Sequence, residues 1–257
     1  MTAPTSPLLR ASGVSKRFAG IAALTDVSVD VAPGELVALI GPNGAGKSTL
    51  FHCLSGVLAP DSGSVHFDGQ DVGRLAPYRR ARLGLSRTFQ QIELFSGLTV
   101  LDHLLVAVRA QRFRGGLWRD LSGRSRPTDD EVAPCLAVLD LVGLAEAAHR
   151  PVEALSLGRG RLVELARALV TDPRLLFLDE PSSGLDSAET AEVAAVLEHV
   201  RAQRDLAILL CEHDVPFVGR LASRTVVLDC GRVIAEGPTA TVLASPEVRA
   251  AYLGATA

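Results

Sequence analysis

Residues 41–48 read Gly-Pro-Asn-Gly-Ala-Gly-Lys-Ser, a fit to G-x-x-x-x-G-K-[ST]. The motif follows a continuous apolar run, Leu36 to Ile40, and opens a helical stretch from about Lys47 to Ser55 that stops at Gly56. A strand buried on both faces, a glycine-rich turn and a helix in direct succession commit the chain to an α/β architecture. The chemistry follows from the residue types. Gly41, Pro42, Asn43, Gly44, Ala45 and Gly46 make a loop whose backbone N–H groups can wrap a β-phosphate, helped by the dipole of the helix that begins there. Lys47 would neutralise β/γ oxygens, the Ser48 hydroxyl is a hard ligand for Mg2+, and Thr49 follows it on the phosphate side. The chain has two lysines, Lys16 and Lys47, against 24 arginines, so a lysine at this position is hard to assign to chance.

Length and composition narrow the setting. At 257 residues the chain has room for one large domain, or a domain with one insert. A hydrophobic content of 47% with 21% charged residues excludes disordered and fibrous classes. The net charge of −3 argues against a protein that coats nucleic acid through its global field, and 4% aromatics is poor material for stacking bases. No uncharged apolar run approaches the roughly 18 residues of a membrane span, and Met1 to Gly13 lacks the pattern of a secretory signal. Cys53, Cys135, Cys211 and Cys230 form no CxxC pair and read as small buried thiols in a reducing cytoplasm.

Along the chain, Leu8 to Val31 alternates apolar and polar residues, which predicts antiparallel strands with one wet face. Asp68-Gly69 marks a further hairpin through Val65 and Phe67. Residues 92–155 change character and predict a helical insert. Thr99 is placed to cap a helix bearing Leu101, Leu104, Leu105 and Val108, and Thr128 with Glu131 forms a capping box for a second, ended by Gly143. The α/β pattern then resumes: a helix through Leu162 to Leu169, a buried strand Leu175 to Leu178, a helix near 188–202, a strand Ala207 to Leu210, and a hairpin around Asp229-Cys230-Gly231.

Asp179 and Glu180 end the apolar run Leu175 to Leu178, at the strand edge where open α/β sheets bind ligands. Asp179 would enter the Mg2+ shell. Glu180, one step nearer the γ-phosphate, would orient water, an arrangement suited to hydrolysis. At Leu155-Ser156-Leu157-Gly158-Arg159-Gly160 the chain enters the helix before this strand, and here the order of motifs resembles an ABC-type ATPase, the nucleotide-binding subunit of ATP-driven transporters. In that family a signature beginning Leu-Ser, with Gly fourth, faces the γ-phosphate of the partner subunit's ATP. Ser156 and Gly158 match it, while Leu157 replaces the commoner Gly and Arg159 the commoner Gln.

The resemblance implies further roles. Phe18 is similar to the aromatic that stacks on adenine. Gln90, rather than Gln91, resembles the glutamine that contacts Mg2+ and water. Ser183-Gly184-Leu185-Asp186 resembles the loop that signals across the dimer, and His213, 33 residues after Glu180, resembles the histidine that hydrogen-bonds the γ-phosphate. Within the family, Arg87 to Phe95, Leu98 to Asp102, Glu212-His213-Asp214 and Ala250 to Gly254 resemble import ATPases for branched-chain amino acids.

The resemblance implies a P-loop NTPase (RecA-like) core with an antiparallel β subdomain and an inserted helical subdomain, in a single ABC-type domain. The core would take about residues 8–91 and 159–240, the helical subdomain 92–158 and a tail 241–257. The expected activity is hydrolysis of ATP, with Mg2+ as cofactor, to power a membrane transporter that takes up branched-chain amino acids or related small solutes. The expected setting is cytoplasmic, peripheral on the inner face of the membrane, with permease subunits and a second ATPase subunit, identical or not, as partners and no nucleic acid. A lipid or lipopolysaccharide exporter ATPase and a non-transport ABC ATPase are the alternatives. The segment Arg109 to Arg126, with six arginines, one aspartate and Trp118, reads as a solvated loop, with contact to anionic lipid headgroups as the second reading.

Overall fold

Two sheets and a layer of helices carry the chain in the computed structural model, which describes residues 6–88, 94–112 and 127–254. β1 (Leu9–Phe18) and β2 (Ile21–Val31) are the long antiparallel pair that the alternation predicts, running from Leu9 opposite Val31 to Phe18 opposite Ile21 with shifts of register between Ala11 and Arg17. β4 (Ser62–Phe67) adds to β1, and β5 (Gln70–Asp71) ends the sheet in the order β2-β1-β4-β5. Asp68 and Gly69 both have positive φ, as a two-residue hairpin turn of matching twist requires.

The second sheet has the order β10-β9-β3-β8-β7-β6. β3 (Leu36–Ile40), β7 (Leu175–Asp179) and β8 (Ala207–Cys211) are buried at every residue, the state that continuous apolar runs specify in a sheet covered on both faces. β6 (Leu85–Arg87) and β9 (Arg224–Asp229) flank them in parallel, and β10 (Arg232–Pro238) closes one edge antiparallel to β9. Side chains alternate between two cores. Val37, Leu39, Phe177 and Leu209 meet the antiparallel sheet and α1 (Lys47–Ser55) on one face. Leu36, Ala38, Leu176, Leu178 and Leu210 meet the helical layer on the other.

The helical layer contains α3 (Val100–Arg112), α4 (Asp129–Leu141), α5 (Leu157–Leu169), α6 (Ser187–Gln203) and α7 (Val215–Leu221). Both predicted caps form: Thr99 exchanges hydrogen bonds with Asp102, and Glu131 accepts the Thr128 N–H at 3.1 Å. α5 packs on α3 and α4 on one side and on α6 on the other, so the division proposed at 158/159 falls in the first turn of a helix shared between both regions. α8 (Thr239–Ala244) and α9 (Pro246–Gly254) follow β10. Among the described residues no helix is long and apolar enough to cross a membrane.

The helix α2 (Pro77–Arg82) and β6 have no counterpart in the sequence-based expectations. α2 has no apolar face to detect. Its buried residue is Arg80, whose guanidinium donates to the carbonyls of Cys53 (3.1 Å), Leu54 (2.5 Å), Gly73 (3.2 Å) and Leu75 (3.0 Å). Two of these carbonyls close the C-terminal turn of α1, so Arg80 also opposes the negative end of that helix dipole.

Candidate functional site

The strand order sets β8 between β3 and β7, and the three are parallel. Their C-terminal ends therefore bring together residues 41–48, 179–180 and 212–213, at the edge where α/β sheets form their ligand crevice. The loop after β3 depends on glycine at two points. Gly41 has φ 151°, and a Cβ there would lie 2.1 Å from the Leu228 carbonyl oxygen. Gly46, the N-cap of α1, has φ 100°, and its Cβ would lie 2.6 Å from the Ala23 carbonyl oxygen. The turn between β9 and β10 steadies the loop from outside, through the Gly231 N–H donating to the Ala45 carbonyl at 2.9 Å.

Lys47 is buried, and its ammonium donates to the carbonyls of Gly41 (2.7 Å) and Pro42 (2.9 Å), which curls the loop around one cation. Ser48 is exposed in the first turn of α1, beside Thr49. Ala23 and Leu24 of β2 border the loop. Phe18, exposed near the tip of the same hairpin, has the Lys16 ammonium 5.8 Å from its ring centroid.

Asp179 is buried and bonded to Arg87, whose Nη2 donates to its Oδ2 at 2.9 Å. Burial raises the Asp179 pKa above the ordinary carboxylate range, against the lowering effect of Arg87. Arg87 also donates to Ser55 Oγ at 3.1 Å and lies 5.0 Å over the Phe51 ring, so it joins α1, β6 and the end of β7. Glu180 has φ 47°, a left-handed conformation rare for a residue with a side chain and concentrated at functional sites. Its N–H donates to the Cys211 carbonyl at 2.9 Å, and its carbonyl accepts from the Ser183 N–H at 3.0 Å.

His213 is solvent-exposed, with Nδ1 3.5 Å from an oxygen of the fully buried Glu212. Arg87 and Glu212 lie in stretches that carry the resemblance to import ATPases but stand for no motif residue of their own. The visible signals were an arginine entering the segment that carries Gln90 and an acidic residue directly before the strand-end histidine. Gln90, Gln91, Trp118 and most of the Arg109–Arg126 segment lie outside the described residues.

Ser156, Gly158 and Asp186 group at the starts of α5 and α6. Ser156 is the N-cap of α5 and accepts the Arg159 N–H at 3.4 Å. The Gly158 N–H donates to Glu189 at 3.1 Å, and a Cβ on Gly158 would lie 3.0 Å from the Glu189 side chain. Asp186 caps α6, accepting from the N–H groups of Ala188 and Glu189 at 2.8 Å each.

The donor chemistry fits a hard divalent cation. The Ser48 hydroxyl and the Asp179 carboxylate are oxygen donors, and among the described residues no cluster of three or more His, Cys, Asp or Glu could form an all-protein cage. Mg2+ characteristically takes one or two protein oxygens and completes its shell with phosphate and water. Beside this edge, a groove of about 670 Å³ separates α2 and β6 from α3 and α5. Tyr78, Phe95 and Val106 expose apolar surface along it, with Arg82 and Arg167 among its cationic residues.

Residues 24–183 match the family described as ABC transporter, and residues 232–257 match a branched-chain amino acid ATP-binding cassette transporter family. The chain is 38% identical over 253 residues to the high-affinity branched-chain amino acid transport ATP-binding protein LivG of Escherichia coli, covering 97% of this chain and 99% of that protein. It is 36% identical over 251 residues to BraF of Pseudomonas aeruginosa, whose name describes the same role, covering 96% and 98%. The crystal structure of the ADP conformation of MJ1267, an ATP-binding cassette of an ABC transporter, superposes with a TM-score of 0.87 at 30% identity, covering 97% of this chain and all of that one.

Proposed function

The chain belongs to the ABC transporter family as an ATP-binding subunit with ATPase activity, and on that premise we propose that it powers uptake of branched-chain amino acids through a separate membrane permease. The observation that carries the catalytic reading is the convergence of the Gly41–Ser48 loop, Asp179–Glu180 and His213 on adjacent ends of β3, β7 and β8. The cargo reading rests on the match of residues 232–257 and on the names of the relatives.

In this reading adenine stacks on Phe18 and the phosphates enter the loop, where Pro42, Asn43, Gly44 and Ala45 turn the backbone toward them. The Lys47 ammonium exchanges its carbonyl partners for β/γ oxygens. Ser48, Asp179 and Gln90 would hold Mg2+, which supplies neutralisation of the charge building up between the β- and γ-phosphates. Glu180 orients the attacking water and takes its proton, while His213 donates to a γ-phosphate oxygen.

Ser156 and Gly158 open α5 at a helix N-terminus suited to an anion, and in this reading the phosphate they face belongs to a second ATPase subunit. The apolar groove beside Arg87 offers the permease a contact linked to Asp179 through that arginine. Its exposed Tyr78, Phe95 and Val106 suit an apolar helix face of a membrane subunit. Such a subunit would hold the chain against the cytoplasmic face of the membrane.

The test is reconstitution with the permease subunits in vesicles. ATP-dependent uptake of labelled leucine is expected, and its loss in a Lys47→Ala variant that stays folded but no longer binds ATP by calorimetry. ATP hydrolysis coupled to lipid movement, with no leucine uptake, would reassign the cargo. Near-normal ATP affinity in Lys47→Ala would remove the loop from its role.

A further inference from the structure

Glu212 has no task in the chemistry above, yet it lies among the groups that perform it. It follows β8 directly and is fully buried, and its own N–H donates to the Leu39 carbonyl of β3 at 3.2 Å. Four donors converge on its carboxylate. Oε1 accepts from the Ser182 N–H (3.0 Å) and the Ser182 hydroxyl (2.5 Å). Oε2 accepts from the N–H groups of His213 (2.8 Å) and Asp214 (3.2 Å). Ser182 belongs to the turn that begins at Glu180 and closes when the Ser183 N–H meets the Glu180 carbonyl. One buried carboxylate therefore joins the turn of Glu180 to the turn of His213, and its backbone joins both to the strand that feeds the phosphate loop.

Residue type matters here because all four partners donate. An ionised carboxylate is acceptor-only, with two oxygens and lone pairs for each donor. An amide would present its NH2 to one pair. Facing His213 and Asp214, it would set donors against donors. Turned round, it could be accepted by the Ser182 hydroxyl, but the Ser182 N–H would lose its partner. A buried donor left unpaired is costly enough to displace a turn. The turn at Glu180 is the vulnerable one, because its left-handed φ persists only while the surroundings enforce it.

We propose that Glu212 is a positioning residue for hydrolysis, setting Glu180 and His213 relative to one another by holding both turns from a single carboxylate. This deepens the reading of Glu180 and His213 given above and rests on it. A slight displacement of a group that acts on the transition state lowers kcat while leaving ground-state binding in place.

The experiment uses the full chain with Glu212→Gln, Glu212→Asp and Glu180→Gln, measured by phosphate release and ATP calorimetry. Glu212→Gln should lower kcat by about 10- to 100-fold, the scale of a misplaced catalytic group, with KM for ATP within roughly twofold of the parent. Glu212→Asp, which keeps an acceptor-only group, should recover part of that loss. The amide proton resonances of Ser182, or those of His213 and Asp214, should move upfield in Glu212→Gln, a signature that does not depend on the reaction. If Glu212→Gln fails to fold, Ser182→Ala takes its place, with a fall in kcat at unchanged KM expected.

Parent kcat in the variant that folds overturns the proposal. So does a joint loss of kcat, ATP affinity and melting temperature that Glu212→Asp does not relieve. Hydrolysis at the parent rate by Glu180→Gln would instead overturn the site reading itself, whatever Glu212 does.

Discussion

Glu180 and Asp179 are neighbours in sequence with different backbones and different surroundings, and they should fail differently. Asp179 is the buried last residue of β7, paired with Arg87, whereas Glu180 begins a left-handed turn at the edge. Glu180→Gln keeps size and hydrogen bonding but cannot accept a proton, so hydrolysis should fall by about 10²–10⁴-fold. ATP binding should persist, and the variant should collect as an ATP-bound dimer on size-exclusion chromatography with Mg-ATP. Arg87→Met acts on stability. It removes the cation facing a buried carboxylate, which costs about 3 kcal/mol when one partner of a buried pair is lost. The check is urea denaturation at neutral pH. Adding Asp179→Asn should restore a large part of the loss, because the uncompensated charge is then gone, and a purely additive double variant would refute the pairing argument.

At the scale of elements, α1 is specified at both ends by different means. Its start is glycine geometry, with Gly46 at φ 100° against the Ala23 carbonyl, and its close is Gly56 at φ 87°. The carbonyls of Cys53 and Leu54 are then satisfied by Arg80 from α2, a residue 26 or 27 positions away. Gly56 leaves room for this, since a Cβ there would lie 2.4 Å from Arg80 Nε. Arg80→Met retains volume but leaves buried carbonyls without a donor and removes the charge opposing the helix dipole. A loss of about 2–4 kcal/mol is expected, measured by urea denaturation. A change within about 0.5 kcal/mol, the range of ordinary surface substitutions, would mean that α1 closes without help from α2.

At the scale of the whole molecule, the parallel sheet stands between two cores. The antiparallel sheet and α1 cover one face, and the helices cover the other. The groove lies where these halves meet, lined by α2 and β6 on one side and by α3 and α5 on the other. Arg87 reaches from this groove to Asp179, so a partner seated there would have a short physical route to the proposed metal carboxylate. Val106→Asp places a charge on the exposed apolar lining of α3, away from the phosphate loop. It should abolish co-purification with permease subunits and ATP-driven uptake, while ATP affinity of the chain alone stays at the parent value. Retained co-purification would move the permease contact elsewhere.

The amino-acid sequence determined what local geometry and local burial can determine. Gly41 to Ser48 requires glycine backbone angles and a lysine at fixed offsets within one turn, so the loop could be read without a fold. The run Leu36–Ile40 announced a strand covered on both faces, Leu175–Leu178 a buried strand and Ala207–Leu210 a strand, and Thr99 and Thr128 marked helix starts that formed where expected. β6, three residues long, and α2, whose buried side chain is an arginine, were invisible because periodicity needs several apolar repeats to register. Tertiary structure decided the rest. The strand order β3-β8-β7 departs from chain order, and it sets Asp179 and His213 beside a loop more than 130 residues earlier. Arg87 finds Asp179 across 92 positions, and Glu212 gathers donors from a turn 30 positions before it. Such pairings leave no periodic trace in the chain, because they exist only once the sheet brings the ends of non-consecutive strands to one edge.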